Sequence, residues 1–250
     1  MPVRLMLLPI FVFSTLISGG QPPKPARAAF NQGKKLISQG LFYEAVPFLK
    51  KAVSLYSNYD SAWLEWGNLY ARMKKPDSAI YLLTRALKPN PKMVSAYISL
   101  GKIYKDDKSN CDSAVKNYSR ALKFDSTNKE ALYNMAWCYN SKSDFNNAIT
   151  YASKILESDA NYKPAFGELA FAFRFSKKYD EALLLFKKYS SISTIDIPVY
   201  YCGLIYLETG KYDDLQKTIE ELMKRNAKAY AESLKKKWDQ KKDTKPPGGA

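Results

Sequence analysis

The chain of 250 residues contains no histidine, only 3 cysteines and only 11 glycines. The absence of histidine removes the commonest general base, the Ser-His and Cys-His nucleophile pairs, and every imidazole metal ligand. The sequence also lacks a glycine-rich phosphate-binding loop and a Cys-x-x-Cys pair. These absences predict a protein that is not an enzyme, with no catalytic residues, no metal site, no cofactor and no small-molecule substrate.

Three cysteines are an awkward number for a disulfide framework. Cys111 falls in a stretch, DDKSNCD, that we predict to be a loop, whereas Cys138 and Cys202 fall in helical patterns far apart along the chain. Because unpaired cysteine is among the most buried residue types, we expect three unpaired and mostly buried thiols. The alternative is an intermolecular bridge through Cys111.

The N-terminal segment differs in composition from the rest of the chain. Arg4 precedes an apolar run from Leu5 to Ile17, and small residues follow it up to Gly20. This order is typical of a secretory signal peptide over residues 1–20. The alternative is an uncleaved membrane anchor, although the run is shorter than the roughly 20 residues that a spanning helix needs. Residues 21–25, QPPKP, then predict a proline-rich spacer.

One stretch, from Ser61 to Pro91, shows the pattern of the remaining chain most clearly. It predicts two helices, because large and small apolar residues recur at helical spacing in each half. The small residues Gly67 and Ala79 mark the place where the two helices would cross. The positions that carry the pattern are Trp63, Trp66, Gly67, Tyr70, Ala79, Leu83, Ala86 and Pro91.

The same small residue recurs along the chain at intervals of 34, 34, 35, 34 and 33 residues, at Gly33, Gly67, Gly101, Ala136, Ala170 and Gly203. A constant period of this size indicates a solenoid, in which each unit leaves an apolar face that only its neighbour can cover. The pattern resembles the tetratricopeptide repeat, W-x2-L-G-x2-Y, then A-x3-F, then P. The resemblance implies an all-α fold, an α–α superhelix of about six helix–turn–helix repeats with a C-terminal capping helix.

The repeats define the expected organisation of the chain. The array covers residues 26–225, with repeats at about 26–59, 60–93, 94–128, 129–162, 163–195 and 196–225. A basic capping helix is expected over residues 226–242 and a disordered tail over residues 243–250.

The resemblance also implies a binding surface, since tetratricopeptide arrays bind peptides or partner proteins on a concave wall built by the first helix of each repeat. The residues that should face this wall lie one, four and five positions after each small crossing residue and three before it. The first half of the expected groove is polar and basic, and the second half is aromatic. The candidate residues are Lys34, Asn68, Arg72, Lys102, Lys105, Tyr133, Trp137, Asn140, Phe171, Arg174, Phe175 and Tyr200. The alternative is that the aromatic half is covered from within the molecule, by the C-terminal helix or by neighbouring repeats of the superhelix.

Charge suggests further partners. The formal net charge is +15, and much of it lies in the C-terminal segment of residues 224–245. Such a tail can bind an anionic membrane surface, an acidic partner or, non-specifically, nucleic acid. An exported protein rarely meets nucleic acid, so a nucleic-acid-binding repeat is the least favoured alternative.

Together these patterns predict a non-catalytic scaffold of the cell envelope or exported space, periplasmic or extracellular, that binds another protein or a peptide segment in its groove. The alternative is a membrane-anchored assembly factor that keeps its N-terminal segment and uses the basic tail at the lipid surface.

Overall fold

The structure is a computed structural model that describes residues 20–107 and 109–243. Over these residues it contains 13 α-helices and no strand. The predicted all-α superhelix is confirmed. The helices are α1 (Lys24–Ser38), α2 (Phe42–Leu55), α3 (Asp60–Arg72), α4 (Pro76–Ala86), α5 (Val94–Asp106), α6 (Cys111–Phe124), α7 (Lys129–Ser141), α8 (Phe145–Ser158), α9 (Lys163–Ser176), α10 (Tyr179–Ile192), α11 (Ile197–Thr209), α12 (Tyr212–Lys224) and α13 (Lys228–Asp243).

The helices pack as a linear array. The first twelve form six consecutive hairpins, and α13 packs against α11 and α12 at the end of the chain. Within the described residues, packed helices are at most two positions apart in chain order. Each hairpin therefore depends on its immediate neighbours for burial of its apolar faces.

The glycines at the first three crossing positions lie where a side chain would collide with the facing helix. A Cβ on Gly33 would lie 2.9 Å from Leu49 Cδ2, and a Cβ on Gly67 would lie 2.7 Å from Leu83 Cγ. Such separations are far below van der Waals contact, so glycine allows the two backbones to approach. On the second helices, the facing alanines are completely buried: Ala45, Ala79, Ala114, Ala148 and Ala182.

Among the described residues, the turn inside each hairpin contains one residue in the left-handed backbone region. The six residues are Gly40, Lys74, Ser109, Ser143, Lys177 and Gly210, with φ between 48° and 78°. Glycine adopts this conformation without cost, whereas an L-residue with a Cβ is strained there. The turn geometry thus recurs with the repeat, although the residue type at this position does not.

The two ends differ in part from the predictions. Helix α1 begins at Lys24, inside the expected spacer, because Pro25 lies in the first helical turn, where its missing N–H costs nothing. The signal-peptide prediction lies outside the described residues except for Gly20, and the predicted tail lies outside them except for Asp243. In the part of the chain that is described, none of the helices has the length and apolarity that are needed to cross a bilayer.

Candidate functional site

Three adjoining clefts form one continuous groove along the first helices of the last three hairpins, which we call the C-terminal groove. The first cleft, between α7 and α9, is lined by Trp137, Asn140, Ser141, Gly167, Glu168 and Phe171. The second, of about 250 Å³, is lined by Gly167, Ala170, Phe171, Phe173, Arg174, Phe175, Phe186, Tyr201, Leu204, Ile205 and Glu208. The third is lined by Arg174, Tyr200, Leu204, Leu207, Glu208, Lys237, Gln240 and Lys241.

Three large aromatic side chains of this groove are exposed to solvent. The exposed fractions are 38% for Trp137, 44% for Phe171 and 55% for Phe175. The rings of Phe171 and Phe175 lie 4.4 Å apart, and Phe145 from α8 packs beside both. Helix α13 contributes residues only to the third cleft, so it leaves these three rings uncovered. A cluster of exposed aromatic rings in a concave surface is typical of a binding site.

A buried polar network supports the aromatic rings from below. The amide nitrogen of Asn140 donates hydrogen bonds to the Glu168 backbone oxygen at 3.0 Å and to its Oε2 at 2.8 Å. The Tyr133 hydroxyl also hydrogen-bonds the Glu168 carboxylate. Burial raises the pKa of Glu168 above its ordinary value, while the bonds from Asn140 and Tyr133 and the charge of Lys105 partly offset this shift. Asn140 is itself 5% exposed, so it positions Glu168 from within the groove wall.

The raised pKa of Glu168 predicts how stability depends on pH. Between the ordinary carboxyl pKa of 4.5 and the raised value, the folded chain holds the proton more tightly than the unfolded chain does. The stabilising effect of protonation is therefore full below pH 4.5 and is lost as the pH rises through the folded pKa. Glu168→Gln should flatten this decline and raise the melting temperature at pH 7, because the glutamine oxygen can still accept the Asn140 hydrogen bond while the buried charge is removed.

Thermal unfolding followed by circular dichroism from pH 4 to pH 8 would measure this difference. Glu157→Gln is a matched control, because Glu157 lies exposed on α8. Equal pH profiles for wild type and Glu168→Gln would show that the Glu168 carboxylate is not penalised by burial.

Charged residues border the open side of the groove. Arg174 Nε lies 3.5 Å from Glu208 Oε2, across the second and third clefts. Lys241 Nζ donates hydrogen bonds to the backbone oxygens of Leu207 at 2.6 Å and Glu208 at 3.3 Å, which places a positive charge at the C-terminus of α11. One lysine of the predicted basic helix thus contributes to docking α13 on the array.

Tyr200 also connects α11 to α13. Its hydroxyl shares a 3.2 Å hydrogen bond with the Ser233 hydroxyl, and its ring packs against Tyr230 at 5.0 Å. Tyr200 therefore lines the third cleft as part of a helix–helix contact.

The predicted residues of the N-terminal half do not gather in a comparable cleft. Each of four basic side chains is instead engaged locally. Lys34 lies over the Phe30 ring at 5.5 Å, and Arg72 lies over the Phe42 ring at 4.3 Å. Lys102 forms an ion pair with Glu130. Lys105 donates a 2.7 Å hydrogen bond to Asn134 and lies 4.9 Å from the centre of the Trp137 ring. Asn68 is half-buried on α3. The structure thus gathers the aromatic candidates in one groove and leaves the basic ones dispersed.

Among the groove-lining residues that sequence reasoning missed are Glu168, Tyr201 and Glu208. Glu208 lies five positions after Gly203, so the spacing used for the other candidates already pointed to it. Glu168 and Tyr201 each lie two positions before a small crossing residue. This position faces the preceding repeat, as the Asn140–Glu168 and Lys105–Asn134 hydrogen bonds show.

Comparisons with known proteins agree with this architecture. The family model described as the tetratricopeptide repeat protein 21 C-terminal ARM domain matches residues 45–165. The Drosophila melanogaster protein O-mannosyl-transferase Tmtc3 is 32% identical over 106 residues, which are 42% of this chain and 11% of that protein. The chain thus spans about a tenth of the length of this curated relative.

Among solved structures, MamA superposes with a TM-score of 0.60 at 20% identity, covering 75% of this chain and 95% of MamA. YrrB, described as a TPR protein with an unusual peptide-binding site, superposes with a TM-score of 0.51 at 17% identity, covering 84% and 92% of the two chains. The hairpins and their spacing define an α–α superhelical repeat protein. In its repeat pattern and its fold, the chain resembles tetratricopeptide repeat proteins.

Proposed function

We propose that this chain is a non-catalytic scaffold that binds a segment of another protein in the C-terminal groove. The observation that carries the proposal is the exposure of Trp137, Phe171 and Phe175 along one continuous concave wall. Aromatic side chains and arginine dominate the binding energy of many protein interfaces, and Arg174 lies beside these rings. YrrB, which has the same fold, is described as having a peptide-binding site, and this description supports a peptide as the occupant.

The groove also suggests which segment fits. The second cleft is walled largely by aromatic and aliphatic side chains, so it suits a large apolar side chain of the ligand. Exposed Lys34, Arg72 and Lys102 lie on the first helices of the N-terminal repeats. Their charges favour acidic residues at the other end of an extended or helical ligand.

Selection from a random peptide library against the folded chain, followed by fluorescence anisotropy with the selected peptide, would test the proposal. Phe171→Ala should weaken binding at least about tenfold, because its ring borders both the first and the second cleft. Helical content should stay unchanged, since the ring is already 44% exposed.

Leu184→Ala is the matched control for this experiment. Leu184 lies on the second helix of the same repeat and is 76% exposed, but it lines none of the three clefts. Equal affinities for Phe171→Ala and wild type would rule out the C-terminal groove as the binding site.

Export of the chain to the cell envelope or beyond belongs to the same proposal and rests on the residue pattern of the N-terminal segment. The membrane-anchored assembly factor is the second candidate, favoured by the exposed lysines of α13, which are Lys228, Lys235, Lys236, Lys237 and Lys242. The mass of the natural mature protein separates the two. Loss of about twenty residues supports export with cleavage, whereas an intact N-terminus supports the anchor.

A further inference from the structure

Two of the three cysteines lie together at the junction between the third and fourth hairpins. Cys138, on α7, lies near Cys111, since burial and, to a smaller extent, the neighbouring Cys111 thiol raise the pKa of Cys138. Both side chains belong to one apolar cluster that includes Ala114 and Tyr118. Cys138 is completely buried, whereas Cys111 is half-buried. The sequence-based placement of Cys111 in a loop is therefore wrong, because α6 begins at this residue.

The chain path explains why these two residues meet. Helices α6 and α7 are joined by a short connection and pack directly on one another, so the start of α6 lies beside the end of α7. Lys142 forms an ion pair with Asp112 at the same junction, which fixes this alignment independently of the thiols. Cys111 is the first residue of its helix, so bringing the two sulfurs to bonding distance requires adjustment of one helix end only.

We propose that Cys111 and Cys138 form a reversible disulfide that ties the third repeat to the fourth. The oxidant is a small disulfide such as oxidised glutathione. The more accessible Cys111 sulfur attacks it, forms a mixed disulfide and releases one glutathione thiol. The Cys138 sulfur then attacks Cys111, forms the intramolecular bond and releases the second glutathione. Two electrons pass from the cysteine pair to glutathione, and the two thiol protons end on the two released glutathione molecules.

The third cysteine provides an internal comparison. Cys202 lies on α11, in the apolar cluster of the C-terminal repeats, with no cysteine beside it among the described residues. Burial raises the pKa of Cys202 to about 12, with a smaller opposing effect from Lys187. Burial raises the pKa of Cys138 as well, so the difference between the two thiols is that Cys138 has a second cysteine nearby and Cys202 does not. Cys202 should therefore form no intramolecular disulfide under conditions that oxidise the pair.

A redox titration of the purified full-length chain tests this proposal. The reduced protein is equilibrated with defined ratios of oxidised to reduced glutathione, alkylated after denaturation, and analysed by intact mass and non-reducing peptide mapping. At oxidising ratios we expect two thiols to be lost without added glutathione mass, a peptide that links Cys111 to Cys138, and an alkylated Cys202. The melting temperature should rise by about 5 °C on oxidation, because the bond restricts the unfolded chain.

Two variants make the test specific. Cys202→Ser should leave the titration unchanged, whereas Cys111→Ser should abolish both the linked peptide and the rise in melting temperature. Three thiols that stay alkylatable at every ratio would overturn the proposal. So would a disulfide-linked dimer through Cys111, or glutathione retained on Cys111. None of these results depends on ligand binding in the C-terminal groove.

Discussion

Replacing Leu234 with alanine is expected to lower the free energy of unfolding of the C-terminal repeats by about 3 kcal/mol. Leu234 is completely buried, and its side chain fills the space above Gly203, where the first helix of the last hairpin has no Cβ. Alanine would leave a cavity that neither α11 nor α12 can close, because both helices are held by their own hairpin contacts.

The loss of stability caused by Leu234→Ala should remain confined to the C-terminal repeats. Packed helices lie at most two positions apart in the described chain, so no direct contact carries the perturbation to α1–α4. Hydrogen exchange should accelerate in α11, α12 and α13 and stay unchanged in the first two hairpins. Lys235→Ala, on the exposed face of the same helix, is the control and should change stability by less than about 0.5 kcal/mol. Uniform acceleration along the chain would contradict this expectation.

Two glycine substitutions of the same kind should change stability in opposite directions. A Cβ on Gly101 would lie 2.5 Å from Cε1 and 2.7 Å from Cζ of Tyr118, which is completely buried. Overpacking should therefore outweigh the higher helix propensity of alanine, and Gly101→Ala should reduce the free energy of unfolding by about 2 kcal/mol.

Gly167→Ala provides the opposite case within the same fold. A Cβ there would meet only the Tyr201 hydroxyl, at 3.8 Å, so the helix gains propensity without a clash. We expect a gain of about 0.5–1 kcal/mol. Urea denaturation of both variants measures the two changes. If both substitutions changed the free energy of unfolding in the same direction, the closeness of the helix crossing would not decide which glycines are required.

The position of the crossing was predictable because side-chain size is visible in the sequence. Gly101 recurs at the repeat interval, whereas Gly167 lies three residues before Ala170, the crossing position of its own repeat. The aromatic groove was predictable for the same reason, since Trp137 and Phe171 each follow a crossing residue by one position. Both predictions depend only on helical geometry within one repeat.

Contacts between repeats were harder to predict. Glu168 meets Asn140 from the preceding hairpin, and this pairing depends on how far one hairpin is rotated against the next. The proximity of Cys111 to Cys138 depends on where α6 begins. The interval from Gly101 to Ala136 is 35 residues, one longer than the usual 34, and this extra residue obscured the boundary. Side-chain spacing within one helix contains little information on such rotations and boundaries.

The left-handed residue inside each hairpin turn has a consequence for how the array can be tuned. Glycine occupies this position in the first and last repeats, whereas lysine or serine occupies it in the four between them. Each of these four accepts about 1 kcal/mol of backbone strain that glycine would avoid. Replacing these residues with glycine would therefore relieve strain in the middle repeats. The rigidity of individual repeats can thus be adjusted at single turn positions without altering the groove that binds a ligand.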